Sequence, residues 1–293
     1  MNYLTYSYLL TPLHTGASSQ AGNLLGIARE AQTQLPYLPA SSIRGKLRSL
    51  LEVLHPKDAG KLLGERLDTG QSPTEGYAWF ADATLLLFPI ASFSHQFVWI
   101  TCPLWLKRWN RWLKDEELTK LIDQWQKLLA KEKDDGGKTA IASVKGQQIY
   151  LQGAILQKSE IELIAKDSPC WEAFNKLPNG SGILDLPNKL LILGDSDCAA
   201  FVELGLQQEV RIAMEEKQKT AKDGSFRSEQ ALPSETILFF PWGIKAVPED
   251  KQKGVEAVQE SLEILLCDRL QFGGSESLGR GWTENNNEVI GDK

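Results

Sequence analysis

Several basic residues stand close to hydroxyls and glycines, in a pattern that could bind phosphate groups. Within residues 41–48, two serines and three cations fall around the first turns of a predicted helix. The N–H groups at the start of a helix also attract anions, and Gly45 lets a ligand approach the backbone closely. The residues of this first group are Ser41, Ser42, Arg44, Lys46 and Arg48. Taken alone, the group could also be a solvated basic face.

Two further basic groups lie in predicted loops. A glycine-rich loop at 273–281 carries Gly273, Gly274, Gly279 and Arg280. A third set of cations surrounds a long polar segment at 215–234 and consists of Arg211, Lys217, Lys219, Lys222 and Arg227. Three such groups, borne by loops or glycines in a chain of negative net charge, predict one continuous track for a polyanionic backbone.

His14 stands at a predicted junction between a strand and a loop, where it could act as an acid or a base. No serine or cysteine nucleophile with a carboxylate partner accompanies it, so a catalytic triad is not supported and a structural role stays open. The following loop, residues 15–28, lacks both nucleotide-binding glycine fingerprints. Its Gly16 could still let a phosphate chain approach the backbone.

The cysteines and histidines do not predict a metal site. The four cysteines are far apart, and the chain has three histidines, so zinc-type spacing is absent. Dispersed cysteines are typical of small buried side chains in a reducing compartment. We found no signal peptide and no apolar run long enough to span a membrane, and we therefore predict a cytoplasmic protein.

The composition is that of a soluble globular protein, with 293 residues, 42% hydrophobic and 24% charged. It excludes a disordered chain, a collagen and a disulfide-stapled miniprotein. A net charge of −6 argues at first against a nucleic-acid partner. The acids, however, are concentrated in sequence away from the basic groups, at 134–135 and through the last 34 residues, which include Glu276. An acidic average is therefore compatible with a basic groove.

The elements that would position these residues alternate between strands and helices. Alternation predicts a strand at 3–10, and helical spacing predicts a helix that begins at Ile43 and is capped by Ser41 or Ser42. Strands at 82–88 and 96–102 could pair as a hairpin, before one long helix from Pro103 to about Lys131. The tryptophans of that helix could stack on bases, but a buried face is the favoured interpretation.

Farther along the chain we predict strands at 148–155, 209–214, 236–240 and 270–272, a helix at 255–266 and a frayed end at 284–293. Residues 104–208 are interpreted as a helical or irregular insertion, and 215–234 as an arm that is long for a hairpin loop. The order of elements favours an α+β fold with a ferredoxin-like sheet and insertions over a doubly wound sheet.

Six segments together resemble the RAMP superfamily of CRISPR-associated proteins, and within it the repeated backbone subunit of type III-B (Cmr) effector complexes. They are LHTG at 13–16, LPASSIRGKLR at 38–48, DATLLLFPI at 82–90, FVWITCP at 97–103, ETILF at 235–239 and FGGSESLGRGW at 272–282. Each segment is weakly specific, but they follow the order of the family over nearly the whole chain.

The resemblance implies a single RAMP domain over 1–293, with an RRM-like palm and a thumb hairpin at 215–234. It implies several copies stacked along a CRISPR RNA, beside other Cmr-type subunits, with complementary single-stranded target RNA paired on the open side. His14, Arg44 and the loop at 273–281 would then lie along the guide backbone, and the thumb would interrupt pairing between guide and target. Binding would need no cofactor.

One feature of the family is absent. Members that cut target RNA carry an aspartate in the loop after the first strand and use a divalent metal ion, here taken as Mg²⁺. Residues 15–29 contain no acid, and the place of the aspartate falls near Leu24 or Leu25. We therefore expect an RNA-binding scaffold. The alternatives are an endoribonuclease with relocated chemistry at His14, Asp223 or Glu229, and a metal-free nuclease that processes the guide.

Overall fold

The computed structural model describes residues 2–21, 24–65, 74–131, 136–178, 184–211 and 227–291. The strands in these ranges are β1 (Asn2–Leu9), β2 (Gly16–Ala21), β3 (Leu24–Ile27), β4 (Ala78–Phe80), β5 (Thr84–Ser92), β6 (Gln96–Thr101), β7 (Ala140–Ala142), β8 (Gln148–Leu151), β9 (Ala154–Gln157), β10 (Ile161–Leu163), β11 (Leu190–Leu193), β12 (Gln207–Arg211), β13 (Arg227–Ala231), β14 (Ile237–Ile244), β15 (Arg269–Gln271) and β16 (Trp282–Ile290). The helices are α1 (Ala40–Leu54), α2 (Ala59–Leu63), α3 (Pro103–Leu113), α4 (Glu116–Ala130), α5 (Cys170–Phe174), α6 (Leu186–Lys189), α7 (Asp195–Gly205) and α8 (Glu249–Leu265).

A mixed sheet of 12 strands forms the centre of the fold. Its main path runs β10-β7-β11-β6-β5-β14-β1-β16-β15, with β4 paired to β14, and β8 paired to β5 and β9. A second sheet of four strands, β12-β13-β3-β2, stands beside it. The predicted α+β class is confirmed.

Helices cover both faces of the large sheet because its central strands alternate apolar side chains between two cores. Along β14, Leu238, Phe240 and Trp242 join one core, which also holds the buried residues of α1, α2 and α8. Phe239 and Ile237 join the other core, with buried residues of α3, α4 and α5. A strand covered on both faces is apolar throughout, as the run of leucines in β5 shows.

Several predicted elements are confirmed. The strand at 3–10 is β1, and the hairpin is β5 and β6, joined by a tight turn at 93–95. Trp105, Trp109 and Trp125 are buried, so the face that carries most of the tryptophans belongs to the core. Cys102, Cys170 and Cys198 are buried as expected, whereas Cys267 is exposed. No helix of the described residues is long and apolar enough to cross a membrane.

Two helix predictions are wrong. The long helix from Pro103 is divided into α3 and α4, because Lys114 adopts the left-handed conformation and the Asp115 carboxylate accepts from Leu118 N to cap α4. Neither Ser41 nor Ser42 caps α1, since the cap position is Pro39. The first N–H of α1 is bound instead by Asp82, whose carboxylate accepts a hydrogen bond of 2.7 Å from Ala40 N.

The interpretation of 284–293 as a frayed end is also wrong for 284–290, which belong to β16, while 292–293 lie outside the described residues. Strand β16 pairs along the full length of β1, and Thr283 and Asn285 are buried. Side chains reinforce the ladder, since Ser7 Oγ donates to Asn285 Oδ1 at 2.6 Å and Thr5 Oγ1 donates to Asn287 Oδ1 at 2.9 Å. The segment is polar in sequence because its buried face is held by hydrogen bonds and not by apolar contacts.

The region at 104–208 is more than a helical or irregular insertion. It supplies β7, β10 and β11 to the large sheet, and the hairpin of β8 and β9, which occupies the predicted strand at 148–155. Strands of three or four residues are too short to show a clear period in sequence. Most of the predicted arm, 215–226, lies outside the described residues, and its remaining part is β13 and the segment after it.

Candidate nucleic-acid interface

The glycine loop at 273–281 is folded against the segment that follows β1. Gly274 N donates to His14 O, Gly281 N donates to Pro12 O, and Phe272 N donates to Gly281 O, each at 2.9 Å. Gly273 and Gly281 have φ of 81° and 76°. A Cβ would lie 2.4 Å from His14 O at position 273 and 1.8 Å from Phe272 O at position 281. Only glycine fits these two positions.

His14 is held between this loop and β13. Its Nδ1 lies 2.7 Å from the backbone oxygen of Gln230. A carbonyl oxygen can only accept, so Nδ1 carries the proton and Nε2 of the neutral ring is the acceptor nitrogen. The half-buried ring therefore has a fixed orientation. An acceptor nitrogen of this kind can bind a ribose hydroxyl or take a proton from one.

Arg280 connects the glycine loop to the second sheet. Its guanidinium forms an ion pair with Glu209 of β12, and the two side chains are mostly buried. Arg280 Nε is buried without a hydrogen-bond partner among the described residues.

Lys46 brings α1 to the same loop. Its Nζ lies 3.3 Å from Glu276 Oε1. The structure thus joins the first and second basic groups of the sequence. It also corrects the placement of the acids: Glu276 lies on the basic surface, although its position in sequence suggested a place away from it.

Arg44 and Arg48 have a different immediate role. Both guanidiniums donate to the backbone oxygen of Leu63, the last residue of α2, and Arg48 also lies 3.4 Å from Glu52. These contacts hold α1 to the end of α2. Ser41 is exposed at the start of α1, Ser42 is half-buried, and Gly45 is exposed with open space around it.

The second sheet positions the remaining candidates. Glu229 of β13 is aligned with Leu25 of β3 on one side and with Glu209 of β12 on the other, and it is 9% exposed. It therefore stands beside Leu25, one of the two positions at which the resemblance to the family puts the aspartate. Arg227 is exposed and aligned with Arg211, and Gly16 is exposed at the start of β2. Lys217, Lys219, Lys222 and Asp223 lie outside the described residues.

The described side chains do not form a metal centre. No group of three or more histidine, cysteine, aspartate or glutamate residues in the described ranges could hold an ion. Glu209 and Glu229 are two carboxylates on adjacent strands, fewer ligands than a site built by the protein alone normally uses.

Sequence reasoning missed the acids that accompany the cations. Glu209 and Glu276 each pair with a basic residue that is distant in sequence, and Asp82 binds the start of α1. No local pattern marks these contacts, because strand pairing and the loop fold create them. The only available signal was the position of Glu276 four residues before Arg280 in a glycine-rich loop.

Comparison with known proteins gives a consistent set of matches. The sequence model of the RAMP superfamily matches residues 8–284. The "CRISPR system Cmr endoribonuclease Cmr4" of Pyrococcus furiosus is 26% identical over 291 residues, which cover 96% of this chain and 94% of that protein. The "CRISPR system CMR subunit Cmr4" of Saccharolobus solfataricus is 21% identical over 310 residues, covering 97% and 98%.

Solved structures show the same fold. A chain of the type III-B Cmr-beta complex bound to cognate target RNA has a TM-score of 0.74 at 22% identity, with 98% of this chain and 97% of that one covered. Oligomeric Cmr4 from Pyrococcus furiosus has a TM-score of 0.66 at 21% identity, with 99% of each chain covered.

Proposed function

This chain belongs to the RAMP superfamily, and from that membership we propose that it is the CRISPR RNA-binding backbone subunit of a type III-B (Cmr) effector complex. In this function several copies stack along the guide RNA, in the cytoplasm and beside other Cmr-type subunits, and they position complementary target RNA. A relative named Cmr4 that aligns over almost its full length supports this assignment. The thumb at 215–234, which would interrupt pairing, remains part of the proposal.

One observation carries the proposal: the glycine loop brings Arg280, Lys46 and His14 to one surface. Arg280 and Lys46 belong to basic groups more than 200 residues apart in sequence, yet both contact the loop or are part of it. Gly279 is exposed and lets a ligand approach the backbone, while the cations supply charge for phosphates. The Arg280 side chain is about one quarter exposed, so its guanidinium can meet a phosphate at its accessible edge.

The acids on this surface are compatible with RNA binding. Lys46 and Glu276 form a partly exposed pair, and such pairs contribute about 0–1 kcal/mol. A phosphate can therefore replace the glutamate as partner of the lysine at little cost. In the free protein these acids lower the positive charge of the surface, so weak binding of unrelated polyanions is reduced.

Reconstitution with guide RNAs of increasing length tests the proposal. We expect the mass of the complex to rise in steps of one subunit as the guide lengthens. Arg280→Ala should reduce the salt dependence of guide binding by roughly 0.7 in log–log slope, the value for one phosphate contact on a single strand. Lys120→Ala, which removes an exposed cation of α4, is the matched control. One copy per guide at every length, or equal slopes for the two variants, would overturn the proposal.

A second candidate function is cleavage of target RNA at regular intervals. It is favoured by the alignment of Glu229 with Leu25, which puts a carboxylate beside the place of the missing aspartate. His14 Nε2, the acceptor nitrogen, could take the proton of a ribose 2′-hydroxyl, and Glu229 could orient the ring or the sugar. Such an endoribonuclease would use Mg²⁺, although no group of three or more histidine, cysteine, aspartate or glutamate residues in the described ranges could hold an ion by itself.

Assembled complexes with target RNA, incubated with Mg²⁺ or with EDTA, distinguish the two functions. Periodic cleavage that Glu229→Gln and His14→Ala abolish would establish the endoribonuclease. Target RNA that stays intact with both Mg²⁺ and EDTA would support the non-enzymatic scaffold function. Cleavage of repeat RNA by the isolated protein in EDTA would instead indicate a nuclease that processes the guide. Asp223→Asn belongs in the same series, since that residue is the third candidate.

A further inference from the structure

Helix α3 carries an excess of positive charge that the proposed guide surface does not use. Residues 103–114 contain four cations and no acid, in a chain of net charge −6. Lys107 pairs with Asp123, and Arg108 pairs with Glu30 at 2.8 Å. Arg111 is exposed and makes no hydrogen bond or ion pair with the described part of the chain. Its guanidinium is available to a ligand.

Beside Arg111 lies a cavity of about 330 Å³ with an aromatic wall. Trp112 lines it and is 36% exposed, and its ring packs at a tilt against that of Trp79, with centroids 6.3 Å apart. Arg108 and Arg111 stand at the cavity together with Asp82 and the apolar residues Phe239 and Pro241. Ligand pockets begin at about 300 Å³, so a single nucleobase is a suitable size for this one.

The acid in this cavity already has a partner on α1. Asp82 accepts from Ala40 N at the start of α1, where the helix dipole also stabilises its charge. Its carboxylate is thus directed at α1 and is not the partner of Arg111. The remaining charge of the cavity is basic, because Arg108 is paired and Arg111 is not.

We propose that Trp112 and Arg111 form a subsite that stacks one nucleobase of single-stranded RNA and binds its phosphate. The inference rests on the proposed function and names a contact outside the glycine-loop surface. Indole faces stack on bases of any sequence, and a guanidinium adds charge and hydrogen bonds to the phosphate. The site adjoins the start of α1, since Asp82 lines the cavity and accepts a hydrogen bond from Ala40 N.

A protein partner fits the same features less well. Protein interfaces also use tryptophan and arginine, but the cores of such patches lack a surplus of one charge. Here an unpaired arginine stands directly beside the exposed indole, on a helix without acids. Charge complementarity therefore favours a polyanion with flat, stackable groups.

Binding of fluorescein-labelled oligouridylate and oligoadenylate of about 12 nucleotides to the full chain tests the subsite. We expect Trp112→Ala to raise Kd roughly 5- to 100-fold for both sequences, and Trp112→Phe to retain most of the affinity. Arg111→Ala should lower the salt slope by roughly 0.7, whereas Arg111→Lys should keep it. The matched control is Tyr150→Ala, which removes an aromatic ring of similar exposure, 39%, from β8.

An oligomer with abasic sites separates stacking from a structural effect. Wild-type protein should bind it more weakly than the intact oligomer, and Trp112→Ala should bind both alike. Equal affinities of wild type, Trp112→Ala and Tyr150→Ala for intact RNA would overturn the subsite while the proposed function stands. Failure of the wild type to bind any RNA would instead refute the proposed function. Loss of self-association in Trp112→Ala with unchanged RNA affinity would also overturn the subsite, in favour of a contact between copies.

Discussion

Two glycines of the same loop offer a matched test of how the loop is held. Gly279 and Gly281 both have positive φ, 73° and 76°. A Cβ at position 279 would meet nothing within 4 Å, whereas at position 281 it would lie 1.8 Å from Phe272 O. Gly279→Ala and Gly281→Ala therefore both strain the backbone through a positive φ. Only Gly281→Ala also brings its Cβ into collision with Phe272 O.

The structure gives the expected size of each effect. A non-glycine residue in the left-handed region costs about 1–2 kcal/mol, which applies to both variants. In Gly281→Ala the backbone must also shift, which weakens the two hydrogen bonds of Gly281 to Pro12 and Phe272. Each bond contributes about 0.5–1.5 kcal/mol, so Gly281→Ala should cost about 2–5 kcal/mol in free energy of unfolding. A protein of ordinary stability survives such a loss.

The free energy of unfolding of both variants is measured by urea denaturation followed by tryptophan fluorescence. The two values can be compared if the free energy depends on urea concentration with the same slope in both variants. We expect Gly281→Ala to be the less stable by about 1–3 kcal/mol and to bind guide RNA more weakly, because the loop moves away from His14. Equal destabilisation by the two variants would refute the reasoning. So would a stable Gly281→Ala protein with normal RNA affinity.

Three further predictions follow from contacts of the strands and of α1. Tyr6→Phe should cost about 1–3 kcal/mol in urea denaturation, because Tyr6 OH donates to Glu288 and accepts from the buried indole N–H of Trp109; no loss would contradict this. Burial raises the pKa of Tyr3 from its ordinary 10.0 to about 12, so its contribution to stability is complete below pH 10 and is lost as the pH rises through 12. Between pH 10 and 12 the free energy of unfolding should fall less steeply with pH for Tyr3→Phe than for the wild type. Parallel curves of this free energy against pH would refute the assignment. Lys46→Ala should leave the melting temperature nearly unchanged and reduce the salt slope of guide binding by roughly 0.7; an unchanged slope would remove Lys46 from the interface.

The sequence predicted elements whose pattern is local. β1 alternates, α1 repeats its leucines at helical spacing, and the hairpin of β5 and β6 follows from two apolar runs around a short turn. The junction of α3 and α4 was missed because Asp115 looks like any exposed acid until its carboxylate is seen to cap a helix. Strand β16 was missed because its asparagines bond to side chains of β1, a relation that hydrophobic periodicity does not register.

The residues of the candidate site also fall into those that a local pattern identifies and those that only the fold brings together. The sequence supplied His14, the glycine loop and the cations, since residue type and spacing identify them. It did not predict that Glu209 and Glu276 pair with these cations, because strand pairing and loop folding create the contacts. For Arg44 and Arg48 the sequence indicates phosphate ligands, and the structure adds a partner that it did not predict, the backbone oxygen of Leu63. Their contact with RNA stays a prediction.

The place of β1 between β14 and β16 has a consequence for synthesis of the protein. Both partners of β1 are made more than 220 residues after it. Until then the nascent chain carries an apolar strand with two open edges, a state prone to misassembly. The centre of the large sheet can close only after translation of β16, so its folding depends on contacts of long sequence separation and is slow. Premature termination anywhere before β16 would yield a chain without a completed sheet, and hence without a glycine loop anchored against His14.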